Sequence, residues 1–318
     1  FLREPARSSR LRAANCELGI ANSSVLARLP AGSSRPVTEL TTGYTPHPAR
    51  HLRQLGRGAN RRLSQSFLTA PAIAEAMVRA AEVDSNDTVL EIGPGLGVLT
   101  RPLVRDAGRV VSIELDRSLA EGLPGAVGTP ANLTVIHGDA LSTDLRELVT
   151  EPYKVVASLP YHVASPILFK LVFEPPTPAR IVVMLQLEVA ERLAPRDGAH
   201  TFLGTAFSLV AEANLVRKVA AGSFFPAPKV QSAIVRFDLR PTPVVPVGDV
   251  RGLVDFVRAG FAQPRKQLHN SLARGLGIEA SAAQVLILEA GVRPMARPSE
   301  LELTDWTGLY GAWRRATA

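Results

Sequence analysis

Apolar residues recur with a regular period only from Arg61 onward. Between residues 71 and 81, Ile73, Met77 and Val78 fall on one helical face, and Pro71 stands where a first helical turn tolerates a missing N–H. Short runs rich in Val, Ile and Leu follow at 88–92, 110–114, 133–136, 155–157 and 181–185, each bounded by turn residues. These runs predict strands. One helix is expected to begin near Leu99 and another at Arg117, so that strands and helices alternate. Strands this apolar are buried on both faces, which predicts an α/β fold with a parallel sheet between helical layers.

After Leu215 the rhythm changes. Residues 215–219 and 232–237 predict two more strands, joined by a loop of Phe and Pro residues over 222–229. Pro241, Pro243 and Pro246 stiffen a linker. Beyond it the pattern is helical, with Val254, Phe256, Val257 and Phe261 in one segment and further segments at 268–276 and 282–288. The expected division is a basic extension over 1–60, a main domain over 61–242 and a small all-helical domain over 247–318.

Composition alters this picture in one place. Hydrophobic residues make up 46% of the 318 and charged residues 20%, a balance that suits a soluble globular chain with a sizeable core. No apolar run reaches the roughly 18 residues needed to span a bilayer, so no membrane partner is expected. Cys16 is the single cysteine, which excludes an intrachain disulfide and a Cys-rich zinc site, and no metal is expected. The net charge of +7 belongs to the first segment: residues 1–62 carry 11 Arg against Glu4, Glu17 and Glu39, and residues 63–318 net −1. A nucleic-acid footprint on the patterned body must therefore be a local patch. The first segment reads as weakly ordered. It is open to three readings: an RNA-binding arm, an organellar transit peptide, or upstream sequence attached by a misplaced start. A solvated tail or such an artefact is the preferred one, and the start at Phe1 suits a fragment, a processed product or a misread frame.

The candidate chemistry lies at the strand ends. Gly93, Gly95 and Gly97 alternate between a strand and a helix, where glycines let the backbone turn sharply and a ligand approach closely. The spacing is not that of dinucleotide binders, and there is no Lys-Ser/Thr pair for a P-loop. Glu91, just before this turn, is placed to fix a cationic or amine-bearing ligand. About 20 residues downstream Glu114 ends the next strand, where an acid accepts from both ribose hydroxyls. Asp139 follows the third strand, where a carboxylate accepts from the exocyclic amine of adenine. Each has an alternative reading as a solvated strand-end carboxylate, yet three acids at consecutive strand ends would line one crevice of a doubly wound sheet. With no Lys or Arg in these turns to hold phosphate, the expected ligand is a nucleoside without phosphates, which points to S-adenosyl-L-methionine.

The fourth strand closes on Ser158-Leu159-Pro160-Tyr161. Adenine's exocyclic amine is a poor nucleophile because its lone pair is delocalised into the ring. A side-chain oxygen and the backbone carbonyl of a rigid Pro can accept its protons, and a following Tyr can stack on the base. Alone, the tetrapeptide equally fits a strand leaving a sheet through a proline turn.

Together these residues resemble the KsgA-type rRNA adenine dimethyltransferases and their relatives, the Erm macrolide-resistance methyltransferases. Ser64-Gln65-Ser66-Phe67-Leu68 resembles the family's Gly-Gln-Asn-Phe-Leu segment. Residues 91–97, Glu114-Leu115-Asp116 and Gly138-Asp139-Ala140 match its cofactor motifs, and residues 158–161 resemble its Asn-Leu-Pro-Tyr. Met184 to Val189 resembles its Met-Leu-Gln-Lys-Glu-Val, and Phe224 to Val230 followed by Ser232 resembles its Phe-x-Pro-x-Pro-Lys-Val-x-Ser loop. The resemblance covers roughly four fifths of the chain, in order.

It implies a Rossmann-like methyltransferase sheet with a small C-terminal all-helical domain. S-adenosyl-L-methionine would be held by Gln65, Ser66, Leu68, Glu91, Gly93, Gly95, Glu114, Leu115, Asp139, Ala140 and Ser158. Ser158, Pro160, Tyr161 and Phe224 would form the catalytic site, with Tyr161 and Phe224 sandwiching an adenine taken out of its stack. Catalysis would be mainly positioning, with no prior general base. The implied partner is rRNA in a pre-ribosomal small subunit, bound by a cytoplasmic monomer through Arg258, Arg265, Lys266, His269 and Arg274. Helical spacing puts Arg258, Arg265 and His269 broadly on one side, able to follow phosphates. Four positions depart from the family pattern: Ser64 for Gly, Ser66 and Ser158 for Asn, and Leu187 for Lys. Two alternatives stay open: methylation of large-subunit rRNA, and a catalytically weak RNA-binding assembly or transcription factor with the same fold. A DNA adenine methyltransferase is disfavoured by the lack of an added target-recognition domain.

Overall fold

The structure, a computed structural model, describes residues 66–194, 200–244 and 248–318. The basic extension over 1–60, Gln65 and part of the proline linker lie outside the described residues.

A two-residue strand, β1 (Phe67–Leu68), leads into helix α1 (Pro71–Ala81). This helix starts on Pro71, buries Ile73, Ala74, Met77, Val78 and Ala81, and ends at Glu82 in left-handed backbone with φ 50°. Then β2 (Thr88–Ile92), α2 (Thr100–Asp106), β3 (Arg109–Glu114), α3 (Arg117–Val127) and β4 (Leu133–His137) alternate as the pattern predicts. They are followed by β5 (Lys154–Ser158), α4 (Ala164–Phe173), β6 (Arg180–Gln186), α5 (Leu187–Leu193) and α6 (Phe202–Ser208). The chain closes the sheet with β7 (Ala211–Val219), a short β8 (Phe224–Phe225) and β9 (Ser232–Leu239).

The main sheet has seven strands in the order β4-β3-β2-β5-β6-β9-β7. The first five are parallel, and β9 and β7 join antiparallel. Alternate residues face opposite layers, as a period of two requires. Val89, Val110, Val156, Val182 and Ile234 pack under α1 and α2, while Leu90, Val111, Val155, Ile181 and Val235 pack under α4 to α6. Helix α4 has no signature in the periodicity. Ala164, Ile167, Leu168, Leu171 and Val172 are all buried, and a helix apolar around much of its circumference shows no amphipathic stripe.

The C-terminal helices are α7 (Val250–Gly260), α8 (Leu268–Leu276), α9 (Ala280–Glu289) and α10 (Leu303–Thr317). Asp249 caps α7 by accepting from the Gly252 N–H at 2.8 Å, and Tyr310 Oη of α10 donates to the same carboxylate at 2.9 Å. Gly260 lets α10 approach closely, since a Cβ there would stand 2.4 Å from the buried Trp306 ring. Leu253, Phe256 and Val257 belong to one buried cluster with Phe207 and Phe237. The core of these helices is thus continuous with one face of the sheet.

From β2 the sheet grows outward through β3 and β4, then β5 returns to the other side of β2. That reversal opens a crevice beyond the carboxyl ends of β2 and β5, the position where open α/β sheets bind ligands.

Candidate active site at the strand reversal

The turn after β2 needs its glycines. Gly93, Gly95 and Gly97 have φ of +70°, +55° and +78°, which side chains with a Cβ adopt only with strain. A Cβ on Gly97 would stand 2.7 Å from Val127 Cγ1, and one on Gly95 would stand 3.0 Å from the Phe67 ring. The turn is therefore pressed against α3 on one side and β1 on the other. The cleft it opens is lined by Ser66, Phe67, Leu68, Gly93, Pro94, Gly95, Leu96, Val98, Leu99, Glu114, Leu119, Ser158, Leu159, Pro160, Tyr161 and Phe224, and encloses about 730 Å³ of empty space, partly open to solvent.

Of the three strand-end acids, Glu114 lines this cleft. Its Oε2 accepts from Gly95 N–H at 3.1 Å and its Oε1 from Asp116 N–H at 2.9 Å. Burial pushes its carboxyl above the usual range, against the opposing pull of these N–H donors. Asp116 in turn caps α3 by accepting from Ser118 and Leu119 N–H.

Glu91 requires a correction. It is fully buried and does not line the cleft. The sheet register sets it opposite Ser112, whose hydroxyl donates to Oε2 at 2.8 Å, as does the Thr100 hydroxyl from α2. Its Oε1 has no hydrogen-bond partner among the described residues, and burial raises its pKa to about 7. As placed, Glu91 braces the glycine turn from behind and lies off the lining of the cleft.

Asp139, Leu115 and Ala140 also lie outside the lining. Asp139 is exposed, and its Oδ1 accepts from Leu141 N–H at 2.9 Å, making the turn after β4. Gly138 N–H donates to Glu114 O at 2.9 Å, which keeps this turn beside the end of β3. Leu115 is 52% exposed, and buried Ala140 gives its carbonyl to Lys170 Nζ at 2.9 Å. Lys170 also bonds the carbonyls of Leu141 and Thr143, so a cation on α4 pins the whole turn. Nothing in the sequence pattern marked Lys170 for this work.

Ser158 is the last residue of β5, and its Oγ takes no hydrogen bond among the described residues. Gly93 lies beside it, an ideal Cβ there being 3.8 Å from both Ser158 O and Pro160 Cδ. Pro160 O accepts from Val163 N–H at 3.2 Å, which occupies one of its two lone pairs. Tyr161 is half-buried, and its hydroxyl bonds Ser232 Oγ at 2.7 Å. Phe224 is buried on the same cleft.

The expected loop over 222–229 contains β8, which pairs antiparallel with β1: Phe67 opposite Phe225 and Leu68 opposite Phe224. Ser66 Oγ donates to Pro226 O at 2.6 Å, and Thr69 donates to Ser223 O from both its N–H and its hydroxyl. Of the apolar lining residues, Phe67 and Leu96 fall within the family motifs, whereas Val98, Leu99 and Leu119 had no chemical signal in the sequence. The opening of the turn makes these three walls of the cleft.

The basic group in the C-terminal helices also needs correction. Arg258 sits on α7, Arg265 and Lys266 lie in the turn after it, and His269 and Arg274 are on α8, so no single helix face carries Arg258, Arg265 and His269. The turn from Phe261 to Gln267 contains Pro264, which cannot continue the helix. Arg258 stands over the Phe169 and Phe202 rings at 5.8 and 5.2 Å and pairs with Asp255. His269 Nδ1 is buried without a partner among the described residues. Arg265, Lys266 and Arg274 are exposed and make no ion pair among the described residues.

The sequence model of the Ribosomal RNA adenine dimethylase family matches residues 56–297. The chain belongs to this family. It is 35% identical over 253 residues to the Ribosomal RNA small subunit methyltransferase A of Dehalococcoides mccartyi, covering 79% of this chain and 87% of that one. The protein of the same name from Syntrophotalea carbinolica is 38% identical, with 78% and 94% covered. Among solved structures, a dimethyladenosine transferase from Plasmodium falciparum superposes with a TM-score of 0.67 at 25% identity, covering 79% of this chain and 98% of that one. The 23S rRNA methyltransferase ErmE superposes with a TM-score of 0.61 at 28% identity, covering 77% and 98%. The membership fits the methyltransferase sheet with C-terminal helices described above.

Proposed function

We propose that this chain dimethylates the N6 amines of adenines in small-subunit rRNA during ribosome assembly, using S-adenosyl-L-methionine. The observation that carries the reading is the meeting of two halves in one cleft. The glycine turn and Glu114 face it from one side, and Ser158, Pro160, Tyr161 and Phe224 from the other. The small-subunit assignment rests on relatives at 35–38% identity named for that substrate, against 28% for ErmE.

The cleft suits the cofactor in its chemistry. The glycine backbone leaves room for close approach, and Glu114 retains free lone pairs beside its two N–H contacts to accept ribose hydroxyls. Ser66 and Leu68 close one wall; Gln65 lies outside the described residues. When bound, S-adenosyl-L-methionine supplies an electrophilic methyl group on a sulfonium. Asp139, at the exposed turn beside Glu114, is proposed to reach the cofactor's adenine at the rim.

The chain's own residues then position the target amine. Ser158 Oγ, free of other hydrogen bonds among the described residues, accepts a hydrogen bond from one amine N–H, and the remaining lone pair of Pro160 O accepts from the other. Both acceptors keep the amine's lone pair directed away from the protein and toward the cofactor side of the cleft. Tyr161 and Phe224 replace the stacking that the base loses on leaving its helix. No side chain is required as a base before transfer, and the amine's proton can pass to water afterwards. The helices over 247–318, with Arg265, Lys266 and Arg274, are proposed to follow phosphates of folded RNA, and the enzyme is proposed to act in the cytoplasm as a monomer.

The test is incubation with labelled cofactor and unmethylated small subunits, followed by mapping of the modified bases. Labelled dimethyladenosine in small-subunit rRNA is expected. Label confined to large subunits would instead support the ErmE-like specificity, and absence of cofactor binding in calorimetry would support an RNA-binding assembly factor.

A further inference from the structure

Ser232 is fully buried on β9, yet its hydroxyl has a specific partner: Tyr161 Oη at 2.7 Å. The two residues come from different walls of the fold. Tyr161 follows β5 at the strand reversal, while Ser232 opens β9, where it faces Gln186 of β6 and Val219 of β7. The chain that enters Ser232 has just left Phe224, eight residues earlier in the sequence. The Leu187 N–H holds that approach by donating to Gln231 O at 2.9 Å. Backbone therefore connects Phe224 to Ser232, and one hydrogen bond connects Ser232 to Tyr161.

We infer that Ser232 is a positioning residue for methyl transfer, fixing where the Tyr161 ring stands relative to Phe224 so that a flat base is held between them. The inference rests on the proposed adenine pocket and adds a residue that touches neither base nor cofactor. A phenol ring turns about two torsions, and packing on its faces is absent wherever the ring borders the cleft. The hydroxyl oxygen lies on the axis of the second torsion, so anchoring it stops the ring from swinging about the first and keeps it over the cleft. Ser232 lies outside the cleft lining, so it acts only through Tyr161.

The test compares the wild type with Ser232→Ala, Tyr161→Phe and the double variant. Two readouts are used. The first is the set of ring resonances of selectively labelled tyrosine, which has four members in this chain. Tyr161 is assigned by its disappearance in Tyr161→Phe. Ser232→Ala is expected to shift and sharpen that signal while those of Tyr153 and Tyr310 stay in place. The second is methyl transfer to small subunits. Ser232→Ala is expected to raise KM for the RNA by about two- to twelvefold, the range set by loss of one net hydrogen bond, with cofactor affinity unchanged. The same substitution made in the Tyr161→Phe background should cost nothing more.

An unmoved Tyr161 resonance, or equal losses from Ser232→Ala in both backgrounds, overturns the inference. A wild type that transfers no methyl group overturns the adenine-pocket reading instead, and the resonance experiment still decides whether Ser232 fixes the ring.

Discussion

Leu68 and Phe224 lie opposite one another in the two-residue ladder of β1 and β8, and both line the cleft. One belongs to the wall proposed to close over the cofactor, the other to the wall proposed to stack on the base. The ladder joins these walls mechanically. Thr69 extends it, giving both its N–H and its hydroxyl to Ser223 O.

Replacing Thr69 by Pro removes both donors at once. Affinities for S-adenosylhomocysteine and for a small-subunit RNA fragment should then both fall, because the two walls share one support. Calorimetry on each ligand separately checks this. A loss confined to one ligand would mean that the walls move independently.

The glycines of the turn should differ from glycines elsewhere. Gly97→Ala combines a left-handed φ of +78° with a methyl 2.7 Å from Val127, and should lower unfolding stability by about 2–4 kcal/mol. Gly125→Ala, inside α3 with nothing within 4 Å of the added methyl, should raise it by about 0.5–1 kcal/mol. Denaturant unfolding of the two variants measures both signs.

Glu91 makes stability depend on pH. Its carboxyl ionises near the ordinary 4.5 in the unfolded chain and near 7 when folded. Between those values the folded state keeps a proton that the unfolded state has released, so stability falls as pH rises from 4.5 to 7 and is level beyond. Glu91→Gln keeps an acceptor for Thr100 and Ser112 and removes the ionisation. Relative to the wild type, the variant should gain stability across that window, by on the order of 3 kcal/mol at most. Melting of the ligand-free proteins at several pH values tests this, and parallel curves would contradict it.

The Ser158 hydroxyl is shorter than an amide, so its reach to the amine is the weak point of the site. Ser158→Asn should increase the rate of methyl transfer by up to about tenfold, and Ser158→Ala should reduce it by about as much again. Single-turnover rates on small subunits give the comparison. An unchanged rate in Ser158→Asn would show that the serine is not limiting.

Arg265, Lys266 and Arg274 are exposed and unpaired among the described residues, unlike Arg258 with its Asp255 and aromatic contacts. Neutralising each by Gln should weaken RNA binding and reduce the slope of log affinity against log salt by about 0.7–0.9 per lost phosphate contact. Arg258→Gln should change the slope least and stability most. Binding isotherms over a range of salt concentrations separate these effects.

The succession of strands and helices was legible in the sequence because β2 to β6 are apolar runs of the length that buried strands require. The glycine turn was legible because three alternating glycines have few other uses between a strand and a helix. Helix α4 was not, since burial around its circumference erased the stripe that periodicity detects. Nor were the contacts of Lys170 or the bond that Ser232 makes with Tyr161, since their partners lie about 30 and 71 residues away in the chain. The basic group was seen as a composition but misread as one face, because Pro264 breaks the helix between its members.

The acids mark the boundary between the two kinds of knowledge. Sequence alone determined that Glu91, Glu114 and Asp139 stand at or near the ends of consecutive strands, since that follows from local periodicity. It could not decide which of them lines the cleft. Glu91 is still inside the sheet, where register with Ser112 draws its carboxylate into the interior, whereas Glu114 closes its strand and faces the cleft. Register and the reversal of strand order arise from contacts between distant parts of the chain, and only the folded structure contains them.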